Sequence, residues 1–166
     1  QVAPRLYGLG QGREPDLVDL GGTYVLEPGA AAPLDPAETG HHGAWLLDPG
    51  DPAATTLLAL SPVQFADIDI DVSDAASLED VENAIVGGLH QTLARAVEDD
   101  ARGHLPCVPC AVHLTGTTAL HHEIPALAAD LAGTLDIQHE GVVAAITAVE
   151  IDTTPDIDLE PLLGRP

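Results

Sequence analysis

The residues best suited by type to do chemistry are His104, Cys107, Cys110 and His113, which recur at every third position. A tetrahedral zinc ion takes four such thiolate and imidazole donors, and a Cys-x-x-Cys pair can also serve as a redox dithiol. Spacing decides between these uses. If 107–113 runs as a strand, its side chains alternate between two faces and the four residues cannot converge on one ion. No helix start follows Cys110 to lower a thiol pKa. The pair therefore reads as structural thiols at the start of a strand, with metal and redox roles as alternatives.

Histidine also occurs in adjacent pairs, His41-His42 and His121-His122. Neighbours do not share a face of a helix or strand, so each pair is expected to replace arginine at an exposed site rather than to chelate. Asp67, Asp69 and Asp71 form one carboxylate stripe, and Asp152, Asp156, Asp158 and Glu160 form a second acidic run. Both lack the spacing and central glycine of a calcium loop and read as solvated faces. Gly8-Leu9-Gly10-Gln11-Gly12 is glycine-rich, but no helical pattern follows it to receive a phosphate. Serine-nucleophile, Walker and dinucleotide motifs are absent. None of these groups makes a catalytic site by itself.

The elements that would carry these residues change character near Pro62. Before it, Gly21-Gly22, Pro28-Gly29, Pro33, Pro36, Gly40, Pro49-Gly50 and Pro52 punctuate short apolar runs at 23–27, 43–48 and 55–60. That texture predicts a β meander, with 28–42 as an excursion loop. After it, 65–72 alternates as a half-buried strand. Ser77 with Asp80 predicts a capping box for an amphipathic helix to about Asp100, carrying Leu78, Val81, Ile85, Leu89, Leu93 and Val97 on one face. Gly87-Gly88 either weakens that helix or lets another element approach closely. A strand at 108–115, a short helix at 126–131 with Pro125 in its first turn, and a central or covered strand at 141–152 follow. The expected fold class is α+β: a β meander over 1–62, a two-layer strand-helix-strand-helix-strand unit over 63–152, and an extended acidic tail over 153–166.

Composition narrows the function classes. The chain has 166 residues and 17.1 kDa, with 27 acids against 5 arginines and no lysine, for a formal charge of −22. Such a charge argues against a basic nucleic-acid surface or a polybasic membrane anchor, and no apolar run is long enough to span a bilayer. Carboxylates hold water and counter-ions in concentrated salt, where their mutual repulsion is screened, so the balance fits a protein adapted to high salt. Absence of methionine implies that an N-terminal part precedes Gln1 or has been removed.

Several stretches, taken together and in order, resemble the C-terminal part of the SbcD-type DNA repair nuclease subunits, the metallophosphoesterase partners of the SbcC ATPase. Tyr7-Gly8-Leu9-Gly10-Gln11-Gly12-Arg13 resembles the family's Tyr-Pro-Gly-x-x-Gln-Gly-Arg segment. Thr39-Gly40-His41-His42-Gly43-Ala44-Trp45-Leu46 is similar to its Thr-Gly-x-x-Gly-Ala-Trp-Leu stretch. Ser61-Pro62-Val63-Gln64-Phe65, Leu114–His121 and Ile151–Pro155 match later segments of the capping region. The resemblance implies a manganese-dependent exonuclease in the complete protein, with DNA and an SbcC-like ATPase as partners and a cytoplasmic setting. The family's metal ligands lie upstream of the Gln-Gly-Arg segment, so none is carried over. Gln11 and Arg13 alone match the motif beside the family's active site. Gln64, Thr117, His122 and Thr154 stand where such proteins often carry Arg, so direct DNA binding by this chain is not expected. A homodimer is compatible with the reading. The alternative is a non-enzymatic secreted structural protein, processed at Gln1, that assembles through strand edges.

Overall fold

The computed structural model describes residues 5–10, 12–48, 50–100 and 103–156. In the first lobe, β1 (Arg5–Gly8), β2 (Asp16–Asp19) and β3 (Thr23–Glu27) make a sheet of order β1-β3-β2. β4 (Gly43–Leu46) and β5 (Thr56–Ala59) make a separate antiparallel pair. The strand-rich first third is thus divided between two small sheets. β1 lies parallel to β3, which a simple meander does not permit. β2 and β3 are joined through Gly21 and Gly22, both at positive φ, and the Asp19 carboxylate accepts from the Gly22 N–H at 2.9 Å. Between β3 and β4 the excursion loop folds back, and the Trp45 indole donates to the Pro28 carbonyl.

The second lobe is an α+β unit built as two layers. β6 (Ala66–Asp71), β7 (Cys107–Thr118), β9 (Val142–Pro155) and β8 (Asp136–His139) form a sheet of order β6-β7-β9-β8, with β6, β7 and β9 parallel and β8 antiparallel. Alternation in β6 buries Ile68 and Ile70 and exposes Asp67, Asp69 and Asp71, as its period-2 pattern requires. α1 (Leu78–Asp99) starts at the capping box formed by Ser77 and Asp80 and buries Val81, Ile85, Leu89, Leu93 and Ala96 against the sheet. Gly88 is the point of close approach, because a β-carbon there would lie 2.8 Å from Ile68 Cγ2, whereas one at Gly87 would meet nothing. α2 (Ile124–Leu131) carries Pro125 in its first turn and covers β9 through Ile124 and Leu131.

Two features extend the sequence-based outline. β8 and β9 form a hairpin through Glu140 (φ 48) and Gly141 (φ 87), the two consecutive left-handed residues of a tight hairpin turn. The strand at 142 also does not stop at Asp152: Thr153, Thr154 and Pro155 pair with Gly116, Thr117 and Thr118, so the first part of the expected tail is sheet. Residues 157–166, including Asp158 and Glu160, lie outside the described residues. A bulge between Cys110 and Ala111 leaves Thr147 unpaired, with its hydroxyl donating to the Cys110 carbonyl at 3.1 Å. The lobes meet through a bridge between Thr39 and Phe65 and the contact of His41 with Asp99.

Candidate functional site

Parallel strands present their carboxyl ends together, and ligands of open α/β sheets settle there. In this chain β6, β7 and β9 end on Asp71, on the 115–118 run and on the 152–155 run. Gly116 makes their approach possible. It sits at φ 111, and a β-carbon there would collide with the Asp71 carboxylate and the Ser73 hydroxyl. Ser73 Oγ accepts from the Thr117 N–H at 3.1 Å, while its hydroxyl and N–H both bond the Asp71 carboxylate and hold that carboxyl below its usual range. Thr117 and Thr154, opposite each other in register, join hydroxyls at 2.8 Å. His121 Nδ1 and Thr153 Oγ1 are also 2.8 Å apart. The arrangement is a hydroxyl-rich edge around one carboxylate. It can hydrogen-bond a polar surface, and Ser73 is committed to Asp71 and Thr117 rather than to a base.

The four residues singled out by their spacing are not brought together. His104 is exposed in the loop before β7. Within β7, Cys107 and His113 lie on the open face and Cys110 on the core face, as the alternation of a strand dictates. Burial pushes the Cys110 thiol up to about 11, helped by the neighbouring Cys107 and Asp67, and the Sγ–H donates to the Val108 carbonyl. Cys107 is also raised by burial, so neither thiol is activated. His113 instead bridges strands, with Nδ1 3.2 Å from Glu150 of β9 and Nε2 3.9 Å from Asp67 of β6. Among the described residues no group of three or more His, Cys, Asp or Glu could hold a metal ion.

Gln11 lies outside the described residues. Arg13 stands in the loop before β2 and grips Glu38 through two nitrogens. That bond, then the Leu34 N–H, drive the Glu38 carboxyl down to about 2 against the opposing effect of burial. His42 corrects the expectation of exposed histidines: it is 1% exposed, with Nδ1 3.2 Å from the Ala30 carbonyl and Nε2 3.3 Å from that of Glu38. A loop carbonyl that accepts from the single N–H of an imidazole rewards its burial, and a sequence pair gives no hint of that acceptor. His121 and His122 lie in a turn rather than in a helix or strand, so their rings do meet, edge-on at 4.9 Å.

The sequence reading missed Glu38, Ser73 and Gly116. The visible signals were a lone Gly between threonines and an Asp-x-Ser at the end of an alternating run. Comparison with family models, curated proteins and solved structures finds no match to this chain.

Proposed function

We propose that this chain is the capping and C-terminal region of an SbcD-like DNA double-strand-break repair nuclease subunit, adapted to high salt and catalytically inert in isolation. The observation that carries the reading is the unequal burial of the two lobes. Within strands β1–β5 the one buried apolar residue is Leu26, whereas Tyr7, Val25 and Val18 stand in register as a row on one sheet face. Tyr7 is 50% and Val18 41% exposed. A sheet with an apolar face and almost no core of its own is stabilised by a layer from elsewhere, and an upstream phosphoesterase domain supplies one. The α+β unit has a complete core and serves as the cap.

Two positions where the resemblance places Arg are Thr117 and Thr154, and these satisfy each other. Each lost phosphate contact lowers both DNA affinity and its salt dependence, which suits a cap that positions partner subunits more than the duplex. A structural protein joined through strand edges fits less well, because Asp67, Asp69 and Asp71 line edge strand β6 and two copies meeting there would set carboxylates side by side. The test is the intact mass of the protein isolated from its source. A mass more than twice 17.1 kDa, followed by manganese-dependent nuclease activity, supports the reading. A mass near 17.1 kDa overturns it.

A further inference from the structure

The geometry points to a docking site along the sheet edge: the groove between edge strand β6 and helix α1 takes an extended, basic peptide as an added strand. β6 pairs only with β7 among the described strands, so its other side is an edge. The parity of the ladder shows what that edge offers. Val72 N–H donates to the Thr115 carbonyl, so the even-numbered residues bond to β7 and the backbone groups of Asp67 and Asp69 point outward. The edge already accepts one partner at its start. Thr39 bridges Phe65 in parallel, and the Gly40 N–H donates to the Phe65 carbonyl before the loop turns away. Beyond that bridge no strand among the described residues pairs with the ladder.

The space beside it suits a strand. A groove of about 490 Å³ runs along β6, walled on the helix side by Ala84, Gly88, Gln91, Thr92 and Arg95. Side chains of an incoming strand would alternate. One set would lie over Ile68 and Ile70 against Ala84 and Gly88, where slender apolar residues fit. The other would lie beside Asp67 and Asp69, where Lys or Arg would be attracted. Main-chain bonds to an exposed edge supply affinity in this mode of recognition, and pockets for alternate side chains supply specificity. Arg95 puts a cation on the helix wall, so the favoured partner carries its bases on one face only. The same carboxylates repel a second copy of this chain, which excludes self-pairing as the occupant.

The test is an NMR titration of the whole chain at low salt with a short capped peptide alternating lysine and valine. The expected result is binding that weakens as salt is added, shifts at Asp67, Asp69, Gly88 and Thr92, and slower amide exchange at Asp67 and Asp69. The double variant Asp67→Asn, Asp69→Asn, which alters only exposed side chains, should bind about tenfold more weakly. A peptide alternating glutamate and valine should not bind. Nor should the lysine peptide with N-methyl groups on the backbone nitrogens that face the edge. Equal binding by either control, shifts confined to other surfaces, or protection of the Asp67 and Asp69 amides by raised protein concentration alone would each overturn the proposal.

Discussion

The two lobes of this chain reach opposite outcomes. Residues 66–149 assemble one continuous core from β6, β7, β9 and both helices, with Val81, Ile85, Leu89, Leu93, Val112 and Leu114 fully buried. The first lobe spends its apolar residues on the surface: Leu20 is 63%, Leu46 61% and Leu34 81% exposed. The difference is one of layers. A helix laid on a sheet removes both apolar faces from water, whereas two small sheets with four- and five-residue strands have nothing to lay against each other. What holds the first lobe is polar: Arg13 to Glu38, His42 against loop carbonyls, Asp19 and Asp48 closing their own turns.

That contrast can be broken most directly at Leu89. Leu89→Ala should cost the α+β unit about 3 kcal/mol, read as a lower denaturant midpoint. Val18→Thr in the first lobe should change stability by no more than about 0.5 kcal/mol. A comparable loss at Val18 would mean that the first lobe has a core after all. Gly116→Ala comes next, at about 2 kcal/mol, because it combines a left-handed backbone with a collision at Asp71 and Ser73. An unchanged chain would mean that β6 and β7 can separate at their ends without cost. Smaller still, Ser77→Ala should remove about 1 kcal/mol by opening the capping box, with a matching loss of helical circular dichroism on heating.

The smallest effect sharpens the comparison from the other side. The Glu38 carboxyl, held at about 2 against a reference of 4.5, adds stability to the first lobe above pH 4.5, and that contribution disappears as pH falls through 2. Carboxyl-carbon NMR should show Glu38 titrating near that value, and Arg13→Met should bring the midpoint back toward 4.5. Signals from the α+β core should not follow the titration. If they do, the lobes are coupled more strongly than the Thr39–Phe65 bridge allows.

The second lobe was legible because its patterns are regular. Alternation from Ala66 to Val72 and three- and four-residue steps from Leu78 to Leu93 each have one solution that buries the apolar set. β1 and β2 escaped because each has only two apolar residues together, Leu6-Tyr7 and Leu17-Val18, and β8 because Asp136–His139 has a single inward apolar side chain, Ile137. At the candidate site, Asp71 and Thr117 were visible as residues but not as neighbours.

Composition and periodicity by themselves determined the acidic surface, the α+β class, the span of α1 and its cap, and the faces of β6 and β7, since each follows from local geometry and from which side chains leave water. The tertiary structure alone decided that β1 runs parallel to β3, that β9 continues to Pro155, that His42 is buried, and that Ser73, Gly116 and Thr154 meet at one edge. Those are pairings between residues distant in sequence. Their free energy depends on which strands close against each other, and no local window of the chain contains it.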